Sequence, residues 1–160
     1  MNRIVLRQIH VISLLVVALL SIYADATAGV TVEKISEAAL DELIYSDQKK
    51  LVVTFMAAWC GPCIDELPAL NKLHQKYSAK GFNLIGISID LEGPQAMQPI
   101  IDKLKIGFPV YWYGETAIQK YSVFVIPMII WVKDGRIVER LPGRRSEREL
   151  DKKIRKFFDL

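Results

Sequence analysis

Leu51 to Pro68 reads LVVTFMAAWCGPCIDELP, and the reading of this stretch decides the fold. Its first residues, Leu51, Val52, Val53 and Phe55, make an apolar, partly β-branched run of the kind that forms a buried strand. A short loop carrying Trp59, Cys60, Gly61, Pro62 and Cys63 follows, and helical spacing then takes over. A buried strand therefore feeds a helix whose first turn holds both cysteines. They are the only 2 cysteines of the chain, and in a first helical turn their spacing lets the sulfurs bond. The pattern reads as a redox centre.

Electrostatics favours the same placement. Unpaired backbone N–H groups and the positive end of the helix dipole favour negative charge at a helix start, and Cys60 is best placed to feel them. Thiolate is the reactive form. Lowering a thiol pKa from about 8.5 to about 7 raises the thiolate fraction at neutral pH roughly sixteen-fold, while intrinsic nucleophilicity falls about five-fold. The net rate gain is only a few-fold, so the larger consequences lie in the leaving-group ability of Cys60 and the stability of the reduced form.

Trp59-Cys60-Gly61-Pro62-Cys63 resembles the thioredoxin active site letter for letter, and Pro68 falls where thioredoxins kink the same helix. The surrounding CIDELPALNKL is more similar to the exported TlpA-like branch of that family, whose members carry a glutamate three residues after the second cysteine and then a proline. Glu66 and Pro68 match that pattern, and the resemblance extends from Val30 onward. It implies an α/β, thioredoxin-like fold with a mixed central sheet flanked by helices. It also implies a helix-containing insertion, from Leu91 to about Tyr121, before a cis-proline. Ile126-Pro127 stands at the expected interval for that cis-proline, although a proline opening a strand needs no functional explanation. The resemblance implies catalytic roles for Cys60, Cys63 and Glu66, and substrate contacts from Trp59, Gly61, Pro62, Ile126 and Pro127. Where thioredoxin has a buried aspartate, six residues before Cys60, this chain has Thr54, which cannot take a proton. That task then falls to Glu66 or to water, unless Glu66 is an ordinary solvated carboxylate.

At 160 residues and 51% hydrophobic content, the chain suits one domain with a proper core. A net charge of +3 is no footprint for nucleic acid. Residues 1–28 read as a signal peptide or N-terminal membrane anchor. Arg3, Arg7 and His10 precede an apolar stretch from Val11 to Tyr23, followed by small-residue cleavage patterns at Ala24-Asp25-Ala26 and Ala26-Thr27-Ala28. Cleavage is favoured because the apolar run is short of a membrane span; an uncleaved chain would be tethered through residues 11–23. Residues 29–160 are then the exported domain, periplasmic by this reading, where disulfides persist and a dithiol needs a dedicated electron supply.

Further elements follow from pattern: a strand at Val30–Val32, and a helix from about Glu37 to Ser46 capped by Ser36. The active-site helix runs to about Lys80 with Leu67, Leu70, Leu73 and Tyr77 inward, stopped by Gly81. A buried strand spans Phe82–Asp90, and a second helical pattern through Met97, Ile100, Ile101 and Leu104 should kink or restart at Pro99. Phe108–Trp112 is a strand and Glu115–Tyr121 a short helix. Met128–Lys133 and Arg136–Leu141 are joined by an Asp134-Gly135 hairpin, and a last helix is announced by the Ser146/Glu149 capping box. Trp112 and Trp131 read as core, and the basic residues of the C-terminal helix as a solvated face.

Structural zinc takes four ligands, and there is no second cysteine pair; His74, well down the helix, reads as solvated. No metal is expected, and no cofactor beyond the redox-active Cys60–Cys63 disulfide. The implied partners are protein disulfide substrates, among them apocytochrome c, and a membrane thiol-electron transporter as reductant. A thiol oxidase or isomerase direction stays open. A copper-delivery protein of this fold would want CxxxC and a distal histidine, and a docking module would work without either cysteine.

Overall fold

A computed structural model describes residues 29–46 and 50–160. The leader read over residues 1–28, with its membrane tether, lies outside the described residues. The elements are β1 (Glu33–Lys34), α1 (Glu37–Tyr45), β2 (Leu51–Met56), α2 (Gly61–Tyr77), β3 (Leu84–Ser88), α3 (Pro94–Leu104), β4 (Val110–Trp112), α4 (Thr116–Lys120), β5 (Met128–Lys133), β6 (Arg136–Pro142) and α5 (Glu147–Phe158). They form one six-stranded sheet in the order β1-β4-β3-β2-β5-β6. The four strands on one side pair in parallel, while β5 runs antiparallel to both β2 and β6. β2 is central and wholly buried, as its unbroken apolar run requires.

The sheet has two covered faces, and alternation along β2 separates them. Phe55 stacks on Tyr121 at the end of α4, with ring centroids 5.8 Å apart. Val52, on the opposite face, pairs with Trp131, whose indole meets Phe157 of α5 edge-on at 5.1 Å. Helices are tied in pairs over these faces. Asp41 of α1 accepts from Lys120 at 2.6 Å and from the Tyr121 hydroxyl at 2.8 Å. Asp151 of α5 accepts from Lys76 and from the Tyr77 hydroxyl of α2, both at 2.9 Å.

Most sequence expectations hold, and the differences have local causes. The first strand lies at Glu33–Lys34, not Val30–Val32, because Gln98 of α3 takes the backbone there: its Oε1 accepts from Val32 N–H at 2.7 Å and its Nε2 donates to the Val30 carbonyl at 3.0 Å. The helix holding Pro99 does not restart; one helix runs from Pro94 to Leu104. Trp131 is core, but Trp112 is only half-buried and donates its indole N–H to the Asp90 carbonyl at 2.6 Å. His74 is half-buried between the rings of Phe82 and Phe108, and burial lowers its pKa, so it is no solvated side chain.

Ser146 caps α5 as its letters announce: its hydroxyl accepts from Glu149 N–H, and the Glu149 carboxylate accepts from Ser146 N–H at 2.9 Å. Ser146→Ala should cost about 1 kcal/mol in urea unfolding. An unchanged midpoint would leave the box without energetic weight.

Candidate active site

β2 ends at Met56, and the chain then turns through Ala57 to Cys60, closed by Cys60 N–H donating to the Ala57 carbonyl at 3.1 Å. Cys60 is the N-cap of α2 and Pro62 occupies its first turn, where a missing N–H costs nothing. Cys60 and Cys63 form a disulfide with an S–S distance of 2.05 Å. The Cys60 sulfur accepts from Cys63 N–H at 3.2 Å, which is the helix-start contact that favours a thiolate once the bridge opens. Both cysteines are buried, Gly61 and Pro62 are exposed, and Trp59 stands 67% exposed beside them.

Ile126-Pro127 is a cis peptide. Because Phe55 pairs with Met128, Pro127 lies one step further along, beside the end of β2 where the cysteine turn begins. The structure therefore brings Trp59, Cys60, Gly61, Pro62 and Cys63 to one end of the sheet with Ile126 and Pro127.

Glu66 lies on the same helix face as Cys63 and is only 1% exposed, so the solvated alternative fails. Its Oε1 accepts from Arg145 N–H at 2.6 Å, while its Oε2 is buried with no hydrogen-bond partner among the described residues. Burial raises the Glu66 pKa from 4.5 to about 7, outweighing the Arg145 amide and the charges of Arg144 and Arg145, which act the other way. The segment that supplies this amide is also stitched to the cis-proline, since Gly143 N–H donates to the Pro127 carbonyl at 2.8 Å. Thr54 is buried in β2 with no ionisable role.

Two features of this end of the sheet escape the sequence reading. Phe124 and Val125, just before the cis peptide, are 83% and 48% exposed. Asp90 is fully buried, and its carboxylate reaches across to Ala58 in the cysteine turn. An apolar triplet in front of a proline, and a charge ending an apolar strand, were the available signals. Among the described residues no cluster of three or more His, Cys, Asp or Glu is arranged to hold a metal, and no helix is long and apolar enough to cross a membrane.

The family model described as AhpC/TSA matches residues 25–140. The chain belongs to the AhpC/TSA family. Among curated proteins, it is 31% identical to the thiol-disulfide oxidoreductase ResA of Bacillus anthracis over 110 residues, 68% of this chain and 63% of that protein. The chain thus spans under two thirds of the length of the curated relatives it first matches. Among solved structures it is similar to a thiol:disulfide interchange protein of Chlorobium tepidum, with 22% identity, TM-score 0.61, and coverage of 78% of this chain and 86% of that one. It is also similar to StoA of Bacillus subtilis, at 20% identity and TM-score 0.57, covering 65% of this chain and 81% of that one. The fold of this AhpC/TSA family member is thioredoxin-like, and its ResA relatives bear out the resemblance to the TlpA-like branch.

Proposed function

We propose that this chain is a thiol-disulfide oxidoreductase that reduces disulfides in exported proteins. The observation that carries this reading is the closed Cys60–Cys63 bridge at the start of α2, at the same end of the sheet as cis-Pro127. The ResA name of a relative lends support. In the reduced chain, Cys60 thiolate attacks one sulfur of a substrate cystine; a mixed disulfide forms and the other substrate sulfur leaves as thiolate. Cys63 passes its proton to Glu66 and attacks the Cys60 sulfur, breaking the mixed bond. Two electrons have then moved to the substrate, and the chain holds its bridge again. Trp59, Gly61, Pro62 and the Ile126 backbone receive the substrate segment, and the exchange needs no cofactor or metal besides the cysteine pair. A membrane thiol-electron transporter returns the two electrons, the setting is periplasmic, and apocytochrome c is a substrate candidate; the arginines ahead of the apolar run at 11–23 support export.

The test equilibrates the purified chain with glutathione redox buffers and counts alkylatable thiols by mass. A single two-thiol transition is expected, with reduced chain able to open a protein disulfide in stoichiometric amount. A chain that never leaves either end state across the accessible ratios would overturn the proposal.

A further inference from the structure

We propose that Asp90 is a positioning residue of the exchange reaction, its carboxylate fixing the turn that presents Trp59 and Cys60. This rests on the dithiol-exchange reading above. Asp90 follows β3, next to β2 in the sheet, and is fully buried at the end of the sheet that carries the dithiol. Both of its carboxylate oxygens accept from Ala58 N–H, at 2.9 and 3.1 Å, and Oδ2 accepts from the buried Ser88 hydroxyl at 2.7 Å. Ala58 sits inside the turn that Cys60 N–H closes on the Ala57 carbonyl, so gripping its amide sets the peptide plane from which Trp59 and Cys60 depart.

The grip is itself anchored. Trp112 donates its indole N–H to the Asp90 carbonyl at 2.6 Å, and the Ser88 carbonyl accepts from Tyr113 and Gly114 at 3.1 and 3.2 Å. The inserted strand β4 thereby holds the strand end from one side while the carboxylate holds the cysteine turn on the other. No cation pairs with Asp90 among the described residues. Burying a carboxylate without a counter-charge is expensive, and an apolar residue would serve packing more cheaply. What the carboxylate supplies is a two-oxygen acceptor for the partly buried Ala58 amide.

The effect on chemistry follows from geometry. The Cys60 sulfur gains from the helix start only when the turn directs it over the first-turn amides, and small misplacements of a reacting group are costly. The experiment follows the full reduced chain and its Asp90→Ala, Asp90→Asn and Ser88→Ala variants reacting with oxidised glutathione, and the alkylation of Cys60 by iodoacetamide. Urea unfolding runs in parallel. Asp90→Ala should slow both reactions about tenfold in the folded protein. Asp90→Asn, whose amide oxygen still accepts from Ala58 N–H, should return them to within about threefold of the parent.

A folded Asp90→Ala chain reacting at the parent rate overturns the assignment, as does an Asn variant as slow as the Ala variant. Should Asp90→Ala not fold, Ser88→Ala decides: it frees one oxygen of the grip and should slow exchange about threefold, and an unchanged rate overturns the assignment. A parent chain that does not react with oxidised glutathione sinks the function itself; a reactive parent matched by its variants sinks only the role of Asp90.

Discussion

Glu66→Gln should make the chain more stable above neutral pH, by up to about 3 kcal/mol, and should flatten the fall in stability between pH 5 and 8. In the unfolded chain Glu66 ionises near its ordinary value of 4.5; in the folded chain, buried, it does so only at about 7. Between those values the folded state holds a proton that the unfolded state has lost, so stability falls as the pH rises and the loss is complete above the folded value. The direction is the reverse of a salt-bridged carboxylate. Glutamine keeps an oxygen for the Arg145 amide and carries no charge to desolvate. Urea unfolding at pH 5 and pH 8 measures the effect: the parent should lose about 2.5 kcal/mol across that interval beyond any background trend, and the variant should not. Equal slopes would mean that Glu66 does not titrate in this window. The same substitution should remove the inflection near pH 7 from the exchange rate, because the group proposed to receive the Cys63 proton is gone.

That raised pKa shows where sequence reading stops. The spacing from Cys63 to Glu66 puts both on one helix face, but whether that face is dry depends on the segment from Gly143 to Ser146, which closes over it from far along the chain. The Asp90 contact with Ala58 likewise joins neighbouring strands through a crossover helix. Features whose partners lie within a few residues were legible: the Ser36 and Ser146 caps, the Asp134-Gly135 hairpin, the cysteine turn. The misplacement of β1 has the same root, since Val30-Thr31-Val32 has a β-branched strand pattern but the Val32 N–H and the Val30 carbonyl bond to the side chain of Gln98. The cis state of Ile126-Pro127 was expected only through the family resemblance, because few such bonds are cis.

The two cysteines should fail differently when replaced. Cys60→Ser should bring reduction of a protein disulfide down to background, a loss of at least about a thousand-fold, as removal of a catalytic nucleophile generally does. Cys63 does not rescue it, because it is the more deeply buried of the pair, 2% exposed against 6% for Cys60. Cys63→Ser should instead complete the first attack and stop there. The resolving step is intramolecular, and well-oriented intramolecular reactions reach effective concentrations of about 10⁵ M or more, which millimolar external thiol cannot match. A protein disulfide offered to the reduced Cys63→Ser chain should therefore accumulate as a one-to-one adduct on Cys60, visible by mass and released by dithiothreitol. Continued turnover by that variant, or an adduct mapped to any other position, would reverse the assigned order of attack.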